Sequence, residues 1–377
     1  MQKPLSEDIK RQTLEMLEKC GGNKAEAARR LRIPENTFRA RYKAAVLHAS
    51  VADLEPYIPD GQKLKAVSTF YGPDGDVRGQ WVKTNADLER QLEIIQEAAA
   101  GFKADIPKAL PVPYRGRSIA DLLSCYVLTD YHLGQMSWAA EAGEDWNTDK
   151  AAAFLVNWFA QAIAAAPASE RGILCQLGDF FHFDGMDAVT PTSKHLLDTD
   201  TRYARLVGVA IIALRQIIGL MLEKHKHVHI IMAEGNHDLA SSIWLRAMFA
   251  DKYEREKRVT VDNTAMPYYV YEWGKTSLFF HHGHKKNMSE ISKAFAGLFR
   301  DIWGRTEYSY AHLGHYHHVA SKEDSLMIVE QHPTMAVKDA YSARGGYLSN
   351  RGAAVITYSK THGEVSRINI RPEMVKP

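Results

Sequence analysis

The sequence predicts an α/β protein preceded by a small all-α module, on three observations. Between residues 119 and 377, short apolar runs such as CYVL, GILC, HIIM, SLFF and YAHL alternate with longer helical patterns, the arrangement of an α/β fold. Each run leads into a polar, glycine-containing cluster or loop, which is where functional residues of such sheets gather, just past the carboxyl ends of the strands. Residues 5–46 instead read as three short helices with no strand pattern.

Bulk composition narrows the class. At 377 residues the chain exceeds one small domain, and 45% hydrophobic with 24% charged residues is ordinary for a globular protein. A net charge of +2 excludes a molecule-wide polyanion binder, so any nucleic-acid affinity must come from a local patch. Three widely spaced cysteines, Cys20, Cys125 and Cys175, give neither a disulfide framework nor zinc-finger spacing. The opening MQKPLSEDIKRQ has no apolar signal-peptide core, and the expectation is a cytoplasmic protein with reduced thiols. The most apolar run, 206–222, contains Arg215 and Gln216, so a buried amphipathic helix is expected there and no membrane span.

The first module is expected over residues 1–46. A helix over Glu7–Lys19 is followed by the Gly21-Gly22 break. Next comes a helix over Lys24–Leu31 capped by Asn23, and then a turn at Arg32–Pro34. Pro34 is tolerated only at or before a first turn and so marks the start of a third helix, Glu35–Ala45. Ala25, Ala27, Ala28 and Leu31 form a small-residue face, with Leu14, Leu17, Ile33 and Phe38 expected in the core. Residues 47–118 are expected to be a connector. It contains a hairpin over 64–84 around Pro73-Asp74-Gly75, a helical stretch over 85–102 and the Pro-rich linker DIPKALPVPYRGR. The α/β domain then spans 119–377.

Histidine is the unusual entry in the composition, with 17 residues, many in short clusters. The strand-end clusters offer Asp130 and His132; Asp179 and His182; Asn236, His237 and Asp238; His281, His282 and His284; and His315, His317 and His318. Two divalent cations held about 3.5–4 Å apart can polarise a phosphoryl group and lower the pKa of a water. Holding both requires a carboxylate whose two oxygens serve them jointly, with imidazole and amide donors completing each shell. The five clusters supply those residue types.

The order Asp-x-His, Gly-Asp-x-x-His, Gly-Asn-His-Asp, His-Gly and Gly-His-x-His resembles the calcineurin-like metallophosphoesterase superfamily over about residues 122–318. The resemblance implies a four-layer α/β/β/α sandwich and two divalent metal ions. Manganese is expected, with iron, zinc, magnesium or nickel as alternatives. It implies that Asp130, His132 and His317 hold the first metal, that Asn236, His282 and His315 hold the second, and that Asp179 bridges them. His237 would be the general acid or phosphate contact, oriented by Asp238. His282 is taken as the fourth-motif ligand because it directly precedes Gly283; His281 is the alternative. His182, where many members carry Asp, resembles the double-strand-break-repair nuclease and phosphodiesterase branch, and would contact the phosphate or leaving group. The further histidines His225, His227 and His229 read as a solvated helix end and strand start, and His195 and His332 as ordinary surface residues.

GGNKAEAARRLRIPENTFRARYKAA resembles a helix-turn-helix of the factor-for-inversion-stimulation type. Its third helix would present Asn36, Thr37, Arg39, Arg41 and Lys43 to DNA. Lys and Arg outnumber Asp and Glu by eleven to six over residues 1–50, the local patch that the near-neutral total hides. Together the two resemblances imply a phosphodiesterase acting on DNA, most naturally a nuclease. The alternative is a phosphatase of small molecules, cyclic nucleotides or phosphoproteins with an attached interaction domain.

Overall fold

The computed structural model describes residues 6–52, 62–71, 77–86, 112, 114, 116–191, 193–347 and 350–375. The chain divides into two compact units, Met1–Glu97 and Ala98–Pro377.

The first unit opens with three helices: α1 (Glu7–Lys19), α2 (Lys24–Arg30) and α3 (Glu35–Ala52). Asn23 caps α2, its side-chain oxygen accepting the Glu26 N–H at 3.1 Å. The α1–α2 turn needs glycine, because Gly21 and Gly22 have φ of 58° and 83°. Ala27, Ala28 and Phe38 are buried where the helices meet, with Leu17, Ile33, Met16, Cys20 and Tyr42 packed against them. Leu14, also expected in that core, is half-buried like Leu17 and Ile33 but does not belong to the packed cluster. α3 also runs past its expected end at Ala45, since residues 46–52 contain neither Gly nor Pro to stop it. The strands β1 (Gln62–Tyr71) and β2 (Val77–Ala86) pair antiparallel as a two-stranded ribbon. The expected turn at 73–75, most of the expected helix over 85–102 and most of the Pro-rich linker lie outside the described residues.

The second unit contains two sheets. In chain order its elements are β3 (Ile119–Leu128), α4 (Ala139–Ala142), α5 (Thr148–Ala165), β4 (Ser169–Gln176), α6 (Tyr203–Lys224), β5 (His227–Met232), α7 (Leu239–Lys252), β6 (Val259–Val261), β7 (Tyr269–Trp273), β8 (Thr276–Phe280), α8 (Met288–Leu298), α9 (Arg300–Arg305), β9 (Tyr308–Leu313), β10 (Ala320–Glu323), β11 (Ile328–Gln331), α10 (Ala340–Arg344), β12 (Ala353–Ser359) and β13 (Gly363–Ile370). One sheet has the order β13-β12-β3-β4-β5-β6, with β3 to β6 parallel; the other has the order β10-β11-β9-β8-β7, with β8 and β9 parallel.

Strand alternation builds four layers. From β3, Cys125 and Val127 face the second sheet, where they meet Leu278 and Phe280 of β8. Tyr126 and Leu128 face the other way, onto α5 and α6. Phe279 of β8 turns outward to Ile291 and Phe295 of α8. The layers therefore run helix, sheet, sheet, helix, the sandwich that the resemblance implies. Helix α6 covers the run 206–222 and is long and apolar enough to cross a membrane. Ten of its residues, including Leu214, Ile217 and Met221, are instead buried in the core.

Two histidines read as surface residues are buried, His225 and His332. His225 closes α6 beneath the six-stranded sheet. Its Nε2 accepts the Tyr126 hydroxyl at 2.7 Å, and its Nδ1–H donates to the Ser169 carbonyl at 3.0 Å. Burial pushes the imidazole down to about 4. A histidine depressed in the folded state stabilises the fold above its ordinary pKa near 6.5, and that contribution is lost as pH falls from about 6.5 to 4. Wild type is therefore expected to lose on the order of 3 kcal/mol over that window that a His225→Gln variant does not lose. Parallel stability-versus-pH curves for the two proteins, measured by urea titration, would exclude this account.

Candidate metal centre

All five polar clusters emerge beyond the carboxyl ends of parallel strands: Asp130 follows β3, Asp179 follows β4, Asn236 follows β5, His282 follows β8 and His315 follows β9. The chain must turn sharply there, and it does so with strain. Of the seven described non-glycine residues with positive φ, five are Asp130 (50°), His132 (49°), Asp179 (52°), His315 (75°) and His317 (57°). Each such residue costs of order 1–3 kcal/mol and persists only where surrounding contacts over-determine it.

Those contacts are specific. Asp130 Oδ2 accepts the Thr129 hydroxyl at 2.6 Å and the His315 N–H at 2.9 Å, while Thr334 Oγ1 donates to the Asp130 carbonyl at 2.6 Å. Asp130 Oδ1 is buried, accepts no hydrogen bond and lies 3.1 Å from His317 Nε2. His132 Nε2 is 3.4 Å from the same His317 nitrogen. On the other side, His282 Nε2 lies 3.1 Å from Asp179 Oδ2, 3.2 Å from Asn236 Oδ1 and 3.9 Å from Asp130 Oδ1. His315 completes this half: its donor atom lies within 4.8 Å of those of Asp179 and His282. All seven predicted metal-site residues therefore meet in one cluster, with Asp130, His132, Asp179 and His282 buried and Asn236, His315 and His317 half-buried.

The donor chemistry fits cations. Burial alone would raise both carboxyls, but the imidazoles overcome it. His317 and His282 hold Asp130, and His282 and His237 hold Asp179, well below the usual carboxylate range. Against burial, Asp179 and Asp130 raise His282 to about 9. His132 is driven down by burial and by the imidazoles of His237, His317 and His182. Ionised carboxylates packed among imidazoles, with a buried oxygen lacking a donor, are the arrangement that a divalent ion satisfies.

His282 rather than His281 points into the cluster, and its Nδ1 is fixed by donating to the Leu177 carbonyl at 2.9 Å. The His281 ring instead stacks on Tyr268 at 4.8 Å. His182 is buried beside His132 and His237, and neither of its ring nitrogens has a partner. Burial, with His237 adjacent, pushes it down to about 3.

The expected role of Asp238 needs correction. Its carboxylate accepts the backbone N–H groups of Asp179 (3.1 Å), Phe180 (2.7 Å), Phe181 (3.2 Å) and Gly235 (3.0 Å), and so clamps two site loops together. The His237 ring is oriented instead by its Nδ1–H, which donates to the His182 carbonyl at 2.8 Å. Arg344 and Arg351 are tied to Glu141 and Glu144. The segment after Phe183 is pinned to the site loop, with Met136 donating to the Asp198 carbonyl at 3.1 Å.

Sequence reading misses Thr334, which lies 204 residues from the carbonyl it supports and carries no local motif. It also passes over Gly235. A Cβ there would lie 2.0 Å from Asp179 Oδ1 and 2.2 Å from the Asp179 nitrogen. Gly235→Ala must therefore displace Asp179. It is expected to weaken manganese binding by about 10–100-fold and to cost about 1–3 kcal/mol of stability. Wild-type affinity by calorimetric titration would show that the loop yields freely.

Comparison with known families decides the character of the N-terminal helices, since the family described as bacterial regulatory protein, Fis family, matches residues 10–44. This segment is a Fis-type helix-turn-helix. In it Asn36, Arg39 and Lys43 are exposed on α3, Thr37 and Arg41 are half-buried, and Arg39 is tied to Glu35 at 2.7 Å. No curated protein sequence matches the chain significantly. Similar solved structures include a predicted phosphoesterase from Streptococcus pneumoniae TIGR4, at 9% identity and TM-score 0.30, covering 67% of this chain and 99% of that one. Vps29 from Entamoeba histolytica complexed with zinc is similar at 10% identity and TM-score 0.28, covering 66% and 99%. An archaeal phosphodiesterase is similar at 13% identity and TM-score 0.35, covering 66% and 99%.

Proposed function

We propose that this chain is a two-metal phosphodiesterase that hydrolyses DNA, directed to it by the Fis-type helix-turn-helix. The observation that carries the reading is the convergence of two carboxylates, four imidazoles and one amide on a single cluster. Asp130, His132 and His317 would hold one cation and Asn236, His282 and His315 the other, with Asp179 between them. When bound, such a pair supplies Lewis acidity toward phosphoryl oxygens and toward the nucleophilic water, and offsets the charge that builds in an in-line displacement.

The chain's own groups perform the remaining tasks. His237, fixed through its Nδ1–H, presents Nε2 to the leaving oxygen, and with a second proton on Nε2 it would pass that proton to the leaving oxygen as general acid and return to neutral imidazole. His182, held neutral by burial, keeps one ring N–H without a partner and can donate it to a phosphodiester oxygen, a group that carries acceptors and no donor. Asp238 acts through the loops it clamps and not at the phosphate.

The test is turnover with manganese of single- and double-stranded DNA beside bis-p-nitrophenyl phosphate and p-nitrophenyl phosphate. Cleavage of DNA and of the diester is expected, with the monoester slower. Hydrolysis of both small esters with every DNA intact would move the assignment to a phosphatase with an interaction domain.

A further inference from the structure

The ribbon β1–β2 is a second surface with the chemistry of nucleic-acid recognition, outside the helix-turn-helix. A lone two-stranded ribbon is marginal in water and is stabilised by whatever covers its faces. The register sets Ala66 opposite Lys83, Ser68 opposite Trp81 and Phe70 opposite Gly79, so these six positions share one face. Val67, Val82, Thr69 and Tyr71 stand on the other, where all but Val67 are half-buried. The first face is the open one. Trp81 is 61% exposed and Phe70 58%, and Ala66, Ser68 and Lys83 are exposed beside them.

Small residues at 66, 68 and 79 leave the flanks of both rings clear. Charge matches a polyanion: the segment 62–86 holds Lys63, Lys65, Arg78 and Lys83 against Asp74 and Asp76. Lys65, at the bulge between Leu64 and Ala66, and Lys83, beside Trp81, are both exposed. The ribbon belongs to the same compact unit as the Fis-type helices.

We propose that this face binds a single strand of DNA, with bases stacked on Trp81 and Phe70 and phosphates met by Lys65 and Lys83. A ring can stack only on a base that is itself unstacked, which selects an unpaired strand over a duplex. A protein partner would cover two large apolar rings with apolar groups, whereas here Ser68 and Lys83 lie among them. The inference rests on the reading that DNA is the substrate, and it names the form of DNA delivered to the enzyme.

The experiment uses the full chain, fluorescence anisotropy with labelled oligo(dT) and a duplex of the same length, and bis-p-nitrophenyl phosphate turnover as the check on folding. Phe70→Ala combined with Trp81→Ala is expected to weaken oligo(dT) binding by about tenfold per ring, leaving duplex affinity and diester turnover unchanged. Trp81→Phe, which keeps a ring, is expected to lose much less. Lys65→Gln with Lys83→Gln is expected to lower the slope of log affinity against log salt by about 1.4.

Unchanged oligo(dT) affinity in an active ring variant overturns the proposal. So does tighter binding of oligo(rU) than of oligo(dT), or conversion of a dimer to a monomer with DNA affinity intact, which would give the face to RNA or to a second copy. Ring-dependent strand binding by a wild-type chain that cleaves no DNA would uphold this surface and sink the nuclease reading.

Discussion

Asp179→Asn is expected to reduce turnover of bis-p-nitrophenyl phosphate by about a thousandfold or more while leaving the fold intact. The asparagine carbonyl can still accept the His237 N–H that Asp179 Oδ1 accepts at 2.8 Å, so the loop keeps its anchor. What disappears is one of the only two carboxylates in the cluster. Two divalent ions then face a single negative charge, and each lost attraction between a doubly charged ion and a carboxylate is worth about 8 kcal/mol at about 4 Å in a partly screened site. Calorimetry should show two manganese sites reduced to one or none. The thermal midpoint should move by no more than about 4 °C, the equivalent of roughly 1 kcal/mol. Near-normal turnover in a folded variant would remove Asp179 from the centre of the site.

The α/β class and the cluster were legible because their signals are local, while the four layers came from the resemblance. Each candidate ligand follows its strand within a few residues, so the apolar run and the polar cluster appear together in one short window, as in CQLGDFFH. What was not legible is pairing across the fold. His225 sits in a hydrophilic string, EKHKHVHII, yet its partner Tyr126 lies 99 residues earlier on β3, and that bond makes burial tolerable. The carbonyl of Asp130 is held by Thr334, and nothing in QHPTMAVK announces a contact so far away. The open aromatic face of the ribbon was hidden for a different reason. Alternation predicts a hairpin, but the face left uncovered depends on register, and the bulge at Lys65 shifts it by one residue.

Asp238 shows how adjacency in sequence can suggest the wrong partner, and its substitution separates the two roles. If the carboxylate served only to orient His237, Asp238→Ala would slow the reaction and leave stability and metal affinity alone. Its described bonds instead run to four backbone N–H groups, on Asp179, Phe180, Phe181 and Gly235. Removing the acceptor strands those donors in a buried loop, at about 1–3 kcal/mol for each one that water cannot reach. Asp238→Ala is therefore expected to cost on the order of 3–5 kcal/mol and to weaken manganese binding as the Asp179 loop relaxes away from Gly235. Asp238→Asn should fall between, since its oxygen still accepts while its amide confronts further donors. Chemical denaturation and calorimetry on the same samples decide the matter. A variant with wild-type stability and metal affinity but a depressed kcat would restore the orienting role and remove the clamp.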